Sequence, residues 1–429
     1  MNDGEIRADA RPLREPGDLD PLLARVGDAR LVLIGEASHG THEFYSWRAA
    51  LTSRLISEKG FTIVGVEGDW PDCEAVNASV TGRPGAPEDP KEALNAFARW
   101  PTFMWANEEV VGFTRWLRRW NLDRDPAARC GFHGLDVYSL WESLAAVRDH
   151  LERHRPGELP TALRALDCFE PYGRDPQEYG VARRWVGESC EAEVVALLRE
   201  VREEALAAPS SAEEFAAWQN AEVAANAEHY YRTMVHGGPE SWNIRDTHMA
   251  DTLDRLLEFR GPGAKAVVWA HNTHVGDARA TDMTAAGMTN LGQLARERHG
   301  DRDVVLVGFG TDRGTVVAGD RWGARAEVMR VPPARPASLE AMLRDHVPPR
   351  SLFITPPRGD RAEWYDTPLA HRAIGVVYHP ELEHLGNYVP TVPGRRYDAF
   401  LWLPETEALR PLHAEPRLSP EWETYPSAT

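Results

Sequence analysis

The sequence predicts an α/β fold: a mostly parallel central sheet flanked by helices, with a large helical insertion forming part of a cleft wall. Three observations carry this reading. Short aliphatic runs ending in glycine or a charged residue recur, "LVLIG" (31–35), "FTIVGVE" (61–67), "AKAVVWAH" (264–271) and "DVVLVGFG" (303–310), each the length of a buried strand. Amphipathic helical stretches separate them, the alternation that builds parallel sheets. Between 139 and 260 strand signals vanish and Ala/Glu/Arg-rich amphipathic segments take over.

In chain order, residues 1–29 form a polar, Pro- and Arg-rich lead-in with a short helix over 18–26. The first part of the α/β core spans 30–138. Its strand at 30–35 leads into a helix over 41–60, with Thr41 as N-cap and Gly60 as stop. Phe44, Trp47, Leu51, Leu55 and Ile56 recur there at helical spacing. A strand at 61–67, helices over 70–80, 90–98 and 107–121, and a strand at 130–136 follow. The helical insertion takes 139–260. The second part of the core, 261–405, holds strands at 264–271 and 303–310 on either side of a helix over 290–299. A hairpin-like stretch at 314–323 and short strands near 352–355, 373–378 and 398–403 complete it. Residues 406–429 are a C-terminal tail.

Composition narrows the function classes. Lys plus Arg number 48 against 66 Asp plus Glu, a net charge of −18. A surface that acidic repels phosphate backbones and anionic lipid, which disfavours nucleic-acid and membrane partners. No apolar run approaches the ~20 residues of a membrane span, and "MNDGEIRADARPLREPGD" lacks the apolar segment of a secretory signal. Cys73, Cys130, Cys168 and Cys190 show no C-x-x-C spacing. Each therefore reads as a small buried hydrophobe in a reducing, cytoplasmic setting. The 15 Trp read mainly as packing aromatics, a few of them as candidates for lining a cleft.

The chemistry-bearing residues collect just past the strands. After 31–35 come Glu36 and His39; after 62–66, Glu67 and Asp69; after 130–135, Asp136; after 265–270, His271, Asn272, His274 and Asp277. In an open parallel sheet the carboxyl ends share one edge, and ligands bind in the crevice outside it. A lone Asp past a strand suits a turn or a helix cap. Three histidines arriving on two strands do not, and they point to acid–base chemistry. Arg48, nine residues past His39, could set a fixed positive charge beside a developing oxyanion. There is no G-x-S-x-G elbow, H-E-x-x-H motif or P-loop, which disfavours a serine mechanism and nucleotide use. Water activation by His and carboxylate remains, with or without a metal. His271 and His274 would share a ligand face only on a helix, and "HNTH" leaving a strand directly reads as a loop.

The segments "IGEASHGTHEF", "GVEGDW" and "WAHNTHVGD" resemble those of the erythromycin esterase family in order and spacing, with Arg48 included. Weaker similarity runs through "FHGLDVYSLWESL", "YYRTMV", "NIRDTHMADTL" and "AIGVVYHPELE", so that it covers about 30 to 405. Members of the family hydrolyse the lactone ester of macrolide antibiotics and are described as metal-independent, so the resemblance implies a carboxylic ester hydrolase needing no cofactor. It casts His39 as general base on water, with Glu36 and Glu67 as acidic partners. Arg48, His271 and His274 would orient substrate and stabilise the tetrahedral intermediate. Asp69, Asp136 and Asn272 would contact substrate at the strand ends. In the helical block Asn226, Tyr230, Tyr231 and Arg245 are candidates for substrate contact, with packing the favoured reading. The partner expected is a small-molecule ester or lactone. Two rivals stay open: a metal-dependent hydrolase or peptidase using the same residues, and a protein that binds haem or a small ligand without turnover.

Overall fold

Leu31, Val32, Leu33 and Ile34 have no exposed surface and form a middle strand of the central sheet. The structure is a computed structural model describing residues 3–172, 176–182, 189–205 and 211–413. Its strands begin with β1 (Arg11–Pro12), β2 (Leu31–Ile34), β3 (Ile63–Asp69), β4 (Gly131–Asp136), β5 (Ala266–Trp269) and β6 (Val304–Gly310). They continue with β7 (Arg313–Ala318), β8 (Glu327–Val331), β9 (Ser351–Ile354), β10 (Leu369–Arg372), β11 (Tyr388–Thr391), β12 (Ala399–Trp402) and β13 (Glu405–Thr406).

Eight strands make the main sheet in the order β1-β9-β12-β6-β2-β5-β3-β4. Pairing is parallel from β12 through β4 and antiparallel only at the β9 and β1 edge. Burial on both faces explains the unbroken aliphatic runs. Val32 and Ile34 pack with Phe44, Leu51 and Leu55 of the helix His42–Lys59. Leu31 and Leu33 pack with Leu253, Leu256 and Leu257 of the helix Glu240–Arg260 on the other face. The α/β fold with a mostly parallel sheet is as the sequence predicts.

Among the described residues six helices, from Leu140–His154 to Glu240–Arg260, lie between β4 and β5. They bury a core of their own around Leu144, Val147, Leu151, Ala162, Tyr179, Ala221 and Tyr231. Part of the amphipathic run at 178–208, and the tail beyond 413, lie outside the described residues. Cys168 and Cys190 form a disulfide in this block, while Cys73 and Cys130 are buried free thiols. Two of the four cysteines are thus bonded to each other, where the sequence predicts that each is a small buried hydrophobe. Because disulfides are rare in reducing compartments, cysteine usage no longer supports the cytoplasmic setting it suggested. No helix among the described residues is long and apolar enough to cross a membrane.

Several local expectations change. The strand expected near 373–378 lies earlier, as β10, and pairs with β11. Ile374 and Val377 make isolated bridges to Ser38 and Gly319 instead, so this stretch braces the loop beyond β2 rather than joining a sheet. The hairpin expected inside 314–323 pairs β7 with β8, whose residues lie past that window. Thr41 is the N-cap of its helix, but its hydroxyl bonds Ser38 and not the helix amides. "HNTH" is no loop: Asn272–Val275 is one helical turn, with His271 as N-cap.

Candidate active site

Register places the site. Ile34 and Val66 both pair with Trp269, so the residues that follow, Gly35, Glu67 and Ala270, stand level with one another at the carboxyl edge of the sheet. Gly35 is needed there, because a Cβ would lie 2.0 Å from the Asn272 amide oxygen. Arg48 has no exposed surface and ties this edge together. Its Nε donates to the Gly35 carbonyl at 2.9 Å and its Nη2 to the Ala270 carbonyl at 2.7 Å. Its Nη1 pairs with Glu36 Oε2 at 2.8 Å. The other Glu36 oxygen lies 2.9 Å from His39 Nδ1. With its other oxygen on the Arg48 guanidinium, Glu36 is the acceptor in this contact, so Nδ1 donates. The lone pair of His39 therefore sits on Nε2, and this ring lines the cavity.

Beside it stands a second polar cluster. Glu67 Oε2 accepts the His271 backbone N–H at 2.8 Å. Oε1 accepts from Arg245 Nη2 at 2.7 Å and lies 3.2 Å from His274 Nε2. Burial would raise the Glu67 carboxyl, but the His274 and Arg245 charges outweigh it and hold it well below the usual range. Arg245 also forks onto Asp136, Nε to Oδ1 at 2.9 Å and Nη2 to Oδ2 at 2.7 Å. Burial alone would lower the His274 imidazole, yet the carboxylates of Asp246 and Glu67 lift it to about 9. His271 goes the other way: burial, then the charge of His39, push it well below its ordinary value. Its Nδ1 accepts from the Thr273 N–H and faces the Thr273 hydroxyl at 2.8 Å, leaving the proton on Nε2. The His39 and His271 rings are 4.9 Å apart.

A cavity of about 670 Å³, open mouth included, reaches down to His39, Glu67, Asp136, Tyr138 and Arg245. Phe97, Trp100, Met104, Trp105 and Trp322 add an apolar and aromatic lining. Asp69, Asp72 and Arg99 add charge, with Arg99 Nε 2.7 Å from Asp69. Burial pushes the Asp69 carboxyl well up, and burial with Glu142 nearby lifts Asp72 to about 6. Among the described residues no three His, Cys, Asp or Glu side chains are grouped to hold a metal ion. His39 Nδ1 and both His274 nitrogens already face carboxylates.

Residues 56–406 match the sequence profile of the erythromycin esterase family. The chain belongs to that family. A 120-residue stretch is 28% identical to an Escherichia coli protein named erythromycin esterase type II; it covers 28% of this chain and 26% of that one. The match thus spans about a quarter of that relative's length. Three solved structures share the fold. A succinoglycan biosynthesis protein superposes with a TM-score of 0.78 at 21% identity, covering 95% of this chain and 97% of that one. A Bacillus cereus protein gives 0.78 at 19% identity, covering 96% and 99%. A mutant of the erythromycin esterase EreC, in its open conformation, gives 0.68 at 16% identity, covering 92% and 98%.

The erythromycin esterase profile begins at residue 56, beyond Glu36, His39 and Arg48, so for these three the geometry speaks alone. Glu36, His39, Arg48, Glu67, His271 and His274 gather within one polar cluster. Of them, His39 and Glu67 line the cavity, as do Asp69, Asp136 and Arg245. Arg48 does not reach the cavity, since its three guanidinium nitrogens serve Glu36 and two carbonyls. Asn272 lies behind the wall, its amide on the Phe309 carbonyl and near His371. Asn226 bonds back to the Glu222 carbonyl of its own helix. Tyr230 packs edge-on against Tyr138 in the helical core, and the Tyr231 hydroxyl donates to the Tyr138 carbonyl. Reading strand ends alone missed Asp72, Arg99, Tyr138, Trp242 and Asp246. The signal for the last two was periodicity: Trp242, Arg245 and Asp246 fall on one face of a single helix.

Proposed function

We propose that this family member hydrolyses a carboxylic ester, a macrolide lactone or related cyclic ester, by direct attack of water activated at His39. One observation carries the reading: His39 is fixed through Nδ1 by Glu36, itself paired with Arg48, and lines a cavity shared with Glu67, Asp136 and Arg245. Nε2 takes a proton from a water in that cavity, and the hydroxide formed adds to the ester carbonyl carbon. The Arg245 guanidinium, in the cavity wall, stabilises the oxygen that becomes negative. When the tetrahedral intermediate collapses, the C–O bond breaks and His39 returns its proton to the departing alkoxide. Glu36 keeps the tautomer, and Arg48 keeps Glu36 in place. Glu67 holds Arg245 and the His271 turn together. His271, neutral, fills the space beside His39.

The test is mass-spectrometric detection of a gain of one water across macrolides and simpler lactones, with wild type and His39→Asn side by side. A wild-type product is expected. The variant should lose about 10²–10⁴-fold in kcat, the range of general base catalysis, at unchanged circular dichroism. A variant that turns over at the wild-type rate removes His39 from the reaction. Metal analysis of the same preparation addresses the metal-dependent rival: one bound ion per chain, with activity lost to a chelator, would replace the reading above.

A further inference from the structure

His274 has no exposed surface and does not line the cavity, yet charge and aromatic groups are arranged around it on every side. Both Asp246 oxygens face its Nδ1, at 2.9 and 3.1 Å. Glu67 Oε1 and Arg245 Nη1 each stand 3.2 Å from its Nε2. The Trp242 indole lies flat against the ring, 4.4 Å between centroids and 7° from parallel, with its own N–H on the Thr289 carbonyl at 2.7 Å. Asp246 is itself anchored, because its Oδ1 accepts the Leu291 N–H at 2.7 Å. His271 and, through Arg245, Asp136 complete the titratable and charged neighbours.

We propose that Asp246 is a positioning residue which, with Trp242 stacked on the ring, keeps His274 a standing imidazolium that never carries the reaction's proton. The balance of charge around the site gives the reason. Four carboxylates, Glu36, Glu67, Asp136 and Asp246, face two guanidinium groups, Arg48 and Arg245. Without a third cation this buried cluster carries a net negative charge beside the place where an oxyanion must form. A charged His274 supplies that cation, donating Nδ1–H to Asp246 and Nε2–H to Glu67. It leaves Arg245 Nη1 without an acceptor among the described residues and therefore available to the substrate oxygen. An indole face parallel to the ring favours the cationic form further. The competing arrangement has a neutral His274 whose Nε2 accepts from Arg245 Nη1, and then no cation is added and that donor is used up.

Ring-nitrogen NMR on the full-length, ligand-free protein separates the two, with His274 assigned from the His274→Gln variant. Wild type should show both His274 nitrogens protonated at about pH 7.5, and Asp246→Asn should show a neutral ring there. A neutral wild-type ring overturns the proposal, and this needs no substrate. The kinetic arm rests on the esterase reading. Asp246→Asn should lose about tenfold or more in kcat at pH 8 but about twofold at pH 6, with little change in KM, and Asp246→Glu should restore much of the loss. An equal loss at every pH would mark Asp246 as merely structural and overturn the proposal. If no ester is cleaved by wild type, the esterase reading fails while the NMR result still decides the charge of His274.

Discussion

Arg48 makes three different contacts at once, to the Gly35 carbonyl, the Ala270 carbonyl and the Glu36 carboxylate, and has no exposed surface. That fork is a guanidinium property. A lysine ammonium keeps the charge but cannot span all three acceptors in one plane. Each buried carbonyl left without its donor costs about 1–3 kcal/mol. Arg48→Lys is therefore expected to lower the unfolding free energy by about 2–4 kcal/mol in urea titration. It should also reduce kcat on whichever ester wild type cleaves, since a loosened Glu36 no longer fixes the His39 tautomer. Wild-type stability in this variant would show that the strand ends hold without it. Glu67 plays the matching part on the other side, and its two oxygens join β3, the His271 turn and the long helix Glu240–Arg260 through Arg245.

At the level of elements, the sheet edge and the helices beyond β4 contribute different things. β2, β3 and β5 bring Glu36, His39, Glu67 and the His271 turn, all fixed by parallel register. The helix Glu240–Arg260 brings Trp242, Arg245 and Asp246 on one face, so the cluster is complete only when that helix docks on the sheet. Within the helical block the Cys168–Cys190 bond closes a loop with a sequence separation of 22. Loop-closure entropy for that length is worth about 3 kcal/mol. Replacing both cysteines by serine should open this block first. Limited proteolysis is expected to cut faster between 160 and 210 while fragments containing β2, β3 and β5 survive. Cleavage that begins in the sheet segments instead would show that block and core unfold as one unit.

For the whole molecule the buried ionic cluster links stability to pH in two opposite senses. His274 is raised above its unfolded value of 6.5 to about 9, so its contribution is complete below about 6.5 and is lost as pH climbs through about 9. Glu67 is depressed below 4.5, so its contribution is complete above about 4.5 and disappears on acidification through its lower folded value. Between those limits both act together. Urea midpoints should therefore fall between pH 6.5 and 9.5, with His274 accounting for at most about 3 kcal/mol, and the His274→Gln protein should show a shallower fall. Equal slopes in the two proteins would mean that His274 titrates normally.

The sequence by itself determined the strands of the sheet core, because a strand buried on both faces must be apolar throughout and "LVLI", "IVGV" and "VVLVGFG" have few other uses. It also determined which residues stand at the carboxyl edge, since parallel strands leave no freedom about where Glu36, His39, Glu67 and His271 emerge. Tertiary packing alone decided which of them face the cavity. Arg48 looks equally able to meet a substrate or a backbone in one dimension, and only the meeting of β2 with β5 turns it inward. Asp246 and Trp242 lie about 200 residues from Glu36 in the chain. No local pattern ties them to His274, and their role exists only where helix and sheet edge touch. The disulfide follows the same rule: a bond between Cys168 and Cys190 depends on how two helices approach, and spacing says nothing about that.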